Sequence, residues 1–327
     1  MNLRNRFFGY SRTALILSSV ALLAVACNKD DDENDMGSNT STITDVVVGT
    51  DAFSTLEAGV VKANLQSTLS GTGPFTVFAP DNAAFTASGI TSDLLNSLSA
   101  DQVKTILLYH TLSGKVMAAD VPAGPNAKVT TASGDSVFVT RNGNGVFVNG
   151  VKVEQADIAA SNGVIHRIGR VLQPPVGSIV ATAAAAGSGF DSLVKAVTRA
   201  NNTAGGDPTL LATLSNATLT VFAPTNSAFT QLLTALNLTD INQIPVATLL
   251  AVLRYHVVPG RVFSSDLANG NVTMLAGGTT TVNLTNGTNG APTITGSGNG
   301  ENKSNIVAAN VMARNGVVHV IDRVLIP

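Results

Sequence analysis

The stretch Asn162-Gly-Val-Ile-His-Arg-Ile-Gly-Arg-Val-Leu-Gln-Pro174 decides the fold, because it recurs as Asn315-Gly-Val-Val-His-Val-Ile-Asp-Arg-Val-Leu-Ile-Pro327. Two further blocks recur ahead of it in the same order. Phe75-Thr-Val-Phe-Ala-Pro-Asp-Asn-Ala-Ala-Phe85 matches Leu219-Thr-Val-Phe-Ala-Pro-Thr-Asn-Ser-Ala-Phe229, and Leu107-Leu-Tyr-His110 matches Leu253-Arg-Tyr-His256. Ordered self-similarity of this kind is typical of tandem domains. We therefore predict one domain over 43–174 and a second over 176–327.

Within each copy, the apolar pattern predicts helices first and a sheet later. The predicted helices are 51–65, 190–200, Ser99 to His110 with a Ser cap, and 245–256. From Lys128 and Val272 onward, alternating apolar residues broken by Asn-Gly and Gly-Gly predict hairpins. Short strands precede Pro80 and Pro224, and Asp81 and Thr225 are the predicted caps of the helices that follow. The predicted fold class is α+β.

The composition supports a folded core and argues against nucleic-acid binding. Hydrophobic residues make up 44% of the chain, charged residues make up 12%, and the formal net charge is −2. The chain contains no Lys/Arg cluster, no Trp and only three Tyr, so neither a phosphate track nor a stacking platform for bases is expected.

The N-terminus predicts export and a lipid anchor. A basic segment and the apolar run 14–26 form a signal peptide over 1–26, and that run falls short of the roughly 20 residues that span a bilayer. Ala24-Val-Ala-Cys27 resembles the lipobox of bacterial lipoproteins, which implies acylation of Cys27 and membrane attachment. The alternative is an idle thiol beside an ordinary cleavage site. Residues 27–42 are too polar to fold and are predicted to form an acidic tether.

The tether also bears on localisation. The acidic run directly after Cys27 resembles the surface-export signal of Bacteroidetes lipoproteins. We therefore expect an outer-membrane lipoprotein exposed at the cell surface, with a periplasm-facing orientation as the alternative.

The repeat blocks resemble the hallmarks of fasciclin (FAS1) domains. These are the strand followed by Ala-Pro-Asx/Thr-Asn-x-Ala-Phe, the Tyr-His pair, and Asn-Gly-Val-Ile/Val-His-x-Ile, and both copies carry all three. The resemblance implies two tandem domains, each a β-sandwich or wedge of about seven strands with packed helices. It further implies extracellular adhesion to proteins or polysaccharides, with no cofactor and no catalytic residues.

The resemblance to fasciclin domains makes two motifs candidate binding sites. Tyr109-His110 and Tyr255-His256 match a Tyr-His motif implicated in adhesion in some animal relatives. The structural alternative is that these rings are buried at a helix end and stabilise the fold. Asp157-Ile158 occupies the place of an Asp-Ile adhesion motif, whereas the second copy has Asn310-Val311 there, and a strand end is the alternative for both.

The residues do not favour an enzyme. All four histidines lie in the two repeated motifs, so packing explains them as well as catalysis does. The chain has no Gly-x-Ser-x-Gly elbow, His-Glu-x-x-His motif, Walker loop or dinucleotide fingerprint, and no metal site is expected.

The leading hypothesis is a lipid-anchored surface protein that binds protein or polysaccharide ligands, with avidity from its two copies. The second is a structural envelope or biofilm component that associates with itself, favoured by the Gly/Asn/Thr-rich tract 277–303. The third is a polysaccharide-active enzyme, which needs two carboxyl groups placed together in a cleft.

Overall fold

The computed structural model describes residues 40–185 and 189–327. The predicted signal peptide, Cys27 and nearly all of the predicted tether lie outside the described residues. None of the described helices is both long and apolar enough to cross a membrane.

The first domain contains six helices and seven strands within the described residues. Its helices are α1 Ile43–Val48, α2 Ser54–Lys62, α3 Gln66–Leu69, α4 Asn82–Ala87, α5 Ser92–Ser97 and α6 Ala100–Tyr109. Its strands are β1 Phe75–Pro80, β2 Thr111–Ser113, β3 Gly124–Thr130, β4 Ser136–Asn142, β5 Gly145–Val148, β6 Val151–Ala160 and β7 Gly163–Ile168. The helical and strand content is the predicted α+β class.

The second domain repeats this order with one helix fewer among the described residues. Its helices are α7 Ile179–Ala184, α8 Asp191–Asn202, α9 Leu210–Asn216, α10 Asn226–Ala235 and α11 Val246–Arg254. Its strands are β8 Leu219–Pro224, β9 Val257–Pro259, β10 Gly270–Thr273, β11 Thr279–Asn283, β12 Thr293–Gly296, β13 Ser304–Ala313 and β14 Gly316–Ile321.

Each domain is built on one seven-stranded sheet. The strand orders are β2-β1-β7-β6-β5-β4-β3 and β10-β11-β12-β13-β14-β8-β9. In both sheets the strand from the helical half pairs in parallel with the last strand of the domain, β1 with β7 and β8 with β14. The prediction of helices first and a sheet later is therefore incomplete. β1 and β8 lie between helices in the sequence, but they belong to the sheet.

The repeated glycine makes this parallel pairing fit. A Cβ added at Gly163 would lie 2.1 Å from the Phe75 carbonyl oxygen, and one at Gly316 would lie 1.9 Å from that of Leu219. No side chain can be accommodated at such distances without separating the two strands. The repeated glycine, Gly163 or Gly316, is therefore required for the parallel strand pair to form.

The asparagine before each glycine ties the helices to this strand pair. Asn162 accepts a hydrogen bond from the Ile43 backbone N–H (2.9 Å) and donates to the carbonyls of Leu69 and Gly71 (2.8 Å each). Asn315 makes the matching bonds to Ile179, Leu214 and Ala217. One side chain thus satisfies backbone groups at the first helix and at the turn before the first strand, which would otherwise be buried without partners.

The two residues after the Ala-Pro step cap two different helices. Asp81 accepts a hydrogen bond from the Ala84 backbone N–H (2.8 Å) and caps α4, as predicted. Asn82 accepts from the Thr55 N–H (3.0 Å) in the first turn of α2. The second domain uses Thr225 and Asn226 in the same way, on α10 and on α8.

The helix predicted over 51–65 is shorter in the structure. A 3-10 turn occupies Asp51–Phe53, α2 ends at Lys62, and Asn64 adopts a left-handed φ of 54°. Apolar spacing continues across both breaks because Phe53 and Leu65 still face the same core. The Asn-Gly hairpin prediction is confirmed at Asn149-Gly150, where φ is 48° and 72°.

The two domains pack against each other through Arg261 and two phenylalanines. The Arg261 guanidinium lies 4.1 Å above the centre of the Phe138 ring and donates to the carbonyls of Gly316 (2.6 Å) and Arg314 (3.0 Å). Phe263 is fully buried, 6.2 Å from the Phe138 ring centre to centre. A half-buried cation–π contact of this kind contributes about 1–2 kcal/mol.

The glycine constraint gives a direct test of the fold. Gly163→Ala should lower the free energy of unfolding by at least about 3 kcal/mol, because the new methyl group has to push β1 away from β7. Gly143→Ala is the matched control, since a Cβ there meets nothing within 4 Å. Urea unfolding followed by circular dichroism measures both variants, and equal midpoints would contradict the account.

Candidate functional site

The tyrosines of the Tyr-His motifs are buried. Tyr109 is fully buried at the end of α6, donates its hydroxyl hydrogen to the Ser136 carbonyl (3.1 Å) and accepts from Asn149 Nδ2 (3.0 Å). Burial raises the pKa of Tyr109 to about 12. In the second domain, the Tyr255 hydroxyl donates to the Thr279 carbonyl and accepts from the Ser297 N–H. The tyrosine hydroxyl thus links the end of α6 to β4 in the first domain and the end of α11 to β11 in the second.

The adjoining histidines brace the end of each domain. His110 Nδ1 donates to the Ile106 carbonyl (2.8 Å), and its Nε2 accepts from the Leu172 backbone N–H (2.9 Å). His256 makes the matching bonds to Val252 (2.7 Å) and Leu325 (2.9 Å). A backbone N–H can only donate, so the Nε2 that accepts from it carries no proton. Burial lowers the pKa of both histidines to about 4.

The other two histidines brace the bent strands β6 and β13. His166 Nε2 donates to the Val116 carbonyl (2.8 Å), and its Nδ1 accepts from the Asp157 N–H (3.2 Å). His319 repeats this with Val262 (2.9 Å) and Asn310 (3.4 Å), and burial lowers its pKa. Both ring nitrogens of all four histidines are thus engaged by backbone groups.

This geometry supports the structural alternative for the Tyr-His motifs. The four rings of Tyr109, His110, Tyr255 and His256 lie in the interior, at most 3% exposed, where no partner reaches them without local unfolding. Among the residues that the structure describes, no group of three or more His, Cys, Asp or Glu side chains is placed to hold a metal ion.

Asp157 lies on the surface at a bend of β6. The pairing register of β6 shifts on both sides of Gln155, and Asp157 adopts a left-handed φ of 60°. Its carboxylate accepts a hydrogen bond from the Ala118 N–H (2.9 Å), while Ile158 packs into the helical core. Asx residues tolerate this backbone conformation better than most others.

The second domain explains why Asp157 is replaced by asparagine in the repeat. Asn310 has a φ of 63° and accepts from the Ser264 N–H (2.8 Å), which is the same bond that Asp157 makes to Ala118. Both residues therefore stabilise a bend. The difference is in the surroundings, because Asn310 packs against Gly150 of the first domain while Asp157 is exposed.

A cleft between the domains is a candidate site that the sequence did not indicate. Its volume is about 700 Å³, and β6, the linker after β7 and β13 supply its walls. Lys152, Glu154 and Arg170 line it together with two unusually exposed apolar side chains, Val176 (73% exposed) and Val307 (56% exposed). Clefts at domain interfaces with mixed apolar and polar walls are common ligand sites.

Sequence reasoning missed this cleft because it depends on how the copies pack together. One signal was present in the repeat. Two residues that hold the domains together, Phe263 and Arg261, differ from their counterparts in the first domain, Met117 and Lys115.

The comparisons with known proteins agree with this fold. The family model described as the fasciclin domain matches residues 51–174 and 189–327. The chain therefore belongs to the fasciclin domain family, and the resemblance stated from the repeat blocks is confirmed.

Several relatives share one domain length with this chain. It is similar to Protein sll1483 of Synechocystis sp., with 44% identity over 41% of this chain and 74% of that protein. The transforming growth factor-beta-induced protein ig-h3 of Sus scrofa is 38% identical over 41% of this chain, and human periostin is 32% identical over 38% of it. These matches span only 19% and 15% of those two longer proteins.

The chain is also similar to one solved structure. The FAS1 domain pair of the insect cell adhesion molecule Fasciclin I covers 87% of this chain and 96% of its own, with 18% identity and a TM-score of 0.39.

The buried histidines predict a loss of stability in acid. The unfolded chain takes up protons near the ordinary histidine pKa of 6.5, whereas folded His110 and His256 stay neutral down to about pH 4. The stability they contribute is complete above pH 6.5 and is lost as the pH falls towards 4, by up to roughly 3 kcal/mol for each.

Urea unfolding at pH 7.0 and pH 4.5 measures this loss, and imidazole NMR signals report the protonation of each ring in the folded protein. His110 and His256 signals that titrate near pH 6.5 in the folded protein, or unchanged stability across the window, would contradict the account.

Proposed function

We propose that this protein is a lipid-anchored adhesion protein of the bacterial outer membrane that binds protein or polysaccharide ligands at the cell surface. The single observation that carries the binding proposal is the cleft of about 700 Å³ between the two domains, with its exposed valines and charged rim. Family membership adds support, because fasciclin domains occur in a cell adhesion molecule.

The anchor belongs to the same proposal. Support comes from the lone cysteine, Cys27, which directly follows a short apolar run and precedes an acidic tract. Attachment through Cys27 would place the two domains outside the membrane, where the cleft meets extracellular ligands.

A non-catalytic function is also proposed. Support comes from the histidines, whose ring nitrogens all bond to backbone groups, so that none of these four rings is free for proton transfer. The alternative, a polysaccharide-active enzyme, requires two carboxyl groups placed together in the cleft.

The shape of the cleft depends on Arg261, which gives the test a disrupting variant. Arg261→Ala removes the cation–π contact with Phe138 and the bonds to the carbonyls of Gly316 and Arg314. Lys115→Ala is the matched control, because Lys115 is exposed at the same place in the first domain, where no second domain packs.

Cells that express the full chain are assayed for adhesion to immobilised matrix proteins and polysaccharides. We expect adhesion to at least one surface, a several-fold loss for Arg261→Ala, no loss for Lys115→Ala, and no adhesion for Cys27→Ser because the protein is released. Adhesion to nothing on the panel would contradict the binding proposal, and full adhesion by Cys27→Ser would contradict the anchor. Clumping of the cells without adhesion to the panel would favour the self-associating envelope component.

A further inference from the structure

The first domain contains a second cavity, separate from the cleft. Its volume is about 180 Å³, and it lies between β3, β4, β5 and the 3-10 turn Ala118–Asp120. Val116, Val121, Val129, Val139 and Val146 line it, together with the ring of His166. Ala118 is half-buried and Asp120 is exposed, so the cavity opens to solvent at the turn.

The polar groups of the cavity wall are already bonded. His166 uses Nε2 on the Val116 carbonyl and Nδ1 on the Asp157 N–H. Asp120 turns one carboxylate oxygen back to the Met117 N–H (3.0 Å). Among the described residues, the buried side-chain atoms without a partner are Asn126 Oδ1, Arg167 Nε and Thr182 Oγ1, and none of these residues lines the cavity. The wall therefore offers a ligand apolar contact and few free hydrogen-bonding groups.

The two domains differ at residues that line this cavity. Val121 follows the 3-10 turn, and the matching residue in the second domain is the larger Leu267. The second domain thus has a larger side chain at the position of Val121, whereas its Val258 is smaller than the matching Leu112 of the cavity wall.

We propose that this cavity is a binding site for a small apolar molecule of about the size of one aromatic ring. An apolar cavity of about 150 Å³ remains dry and binds benzene or xenon, because water finds too few polar partners there. The cavity of the first domain is slightly larger, its wall is mostly apolar apart from His166 and Asp120, and its mouth lies at the surface. This site does not depend on the cleft between the domains or on any adhesion ligand.

The full chain is titrated with benzene, and with pyridine as a polar probe of matched size. Methyl NMR signals of Val116, Val129 and Val139 should shift saturably with benzene and far less with pyridine. Their counterparts in the second domain, Val262, Val272 and Val282, should not shift and serve as the internal control. Absence of saturable shifts, or equal shifts in both domains, would overturn the proposal.

A filling variant tests the location. Val146→Phe places a ring in the cavity and should weaken benzene binding at least tenfold, whereas Val307→Phe, on the exposed wall of the cleft, should bind as the unchanged chain does. If Val146→Phe fails to fold, Val121→Leu supplies the second domain's own residue and should weaken binding by a smaller factor. Unchanged affinity in the folded filling variant would overturn the proposal.

Discussion

The parallel contact of the first and last strands of each domain is the constraint on which the rest of the structure depends. Backbone meets backbone there at Gly163 and Gly316, where even a methyl group would collide with a carbonyl oxygen. Because these two strands are the first and the last of the domain, their pairing joins its helical half to the end of the chain segment that forms the sheet. Asn162 and Asn315 then fix the first helix to the closed sheet.

Much of this could be predicted from the sequence, since the blocks that repeat are the blocks that form these contacts. The helix caps at Asp81 and Thr225 and the Asn-Gly hairpin follow from local chemistry, which a sequence pattern contains. The parallel pairing, the bends of β6 and β13 and the cleft could not be predicted. They depend on residues brought together across a whole domain or between domains, and apolar spacing carries no information about that.

The repeated Tyr-His and histidine motifs lie in the interior of each domain, whereas the proposed binding surface is the cleft between the domains. Tyrosines and histidines that match between the copies lie inside and bond to the backbone, so their repetition reflects folding. Some residues of the domain interface, such as Arg261 and Phe263, differ from their counterparts in the first domain. Differences between the copies, such as Val121 and Leu267, also distinguish their interiors, so two domains with one fold present different surfaces and cavities.

Native-state hydrogen exchange tests the central claim most directly. If the strand pair closes each domain, the amides of Val164 and Ile165 in β7, and of Val317 and Val318 in β14, should exchange only through global unfolding of their domain. Their protection should then equal the free energy of unfolding measured with urea. Exchange of these amides by local opening, while the helices stay protected, would contradict the account.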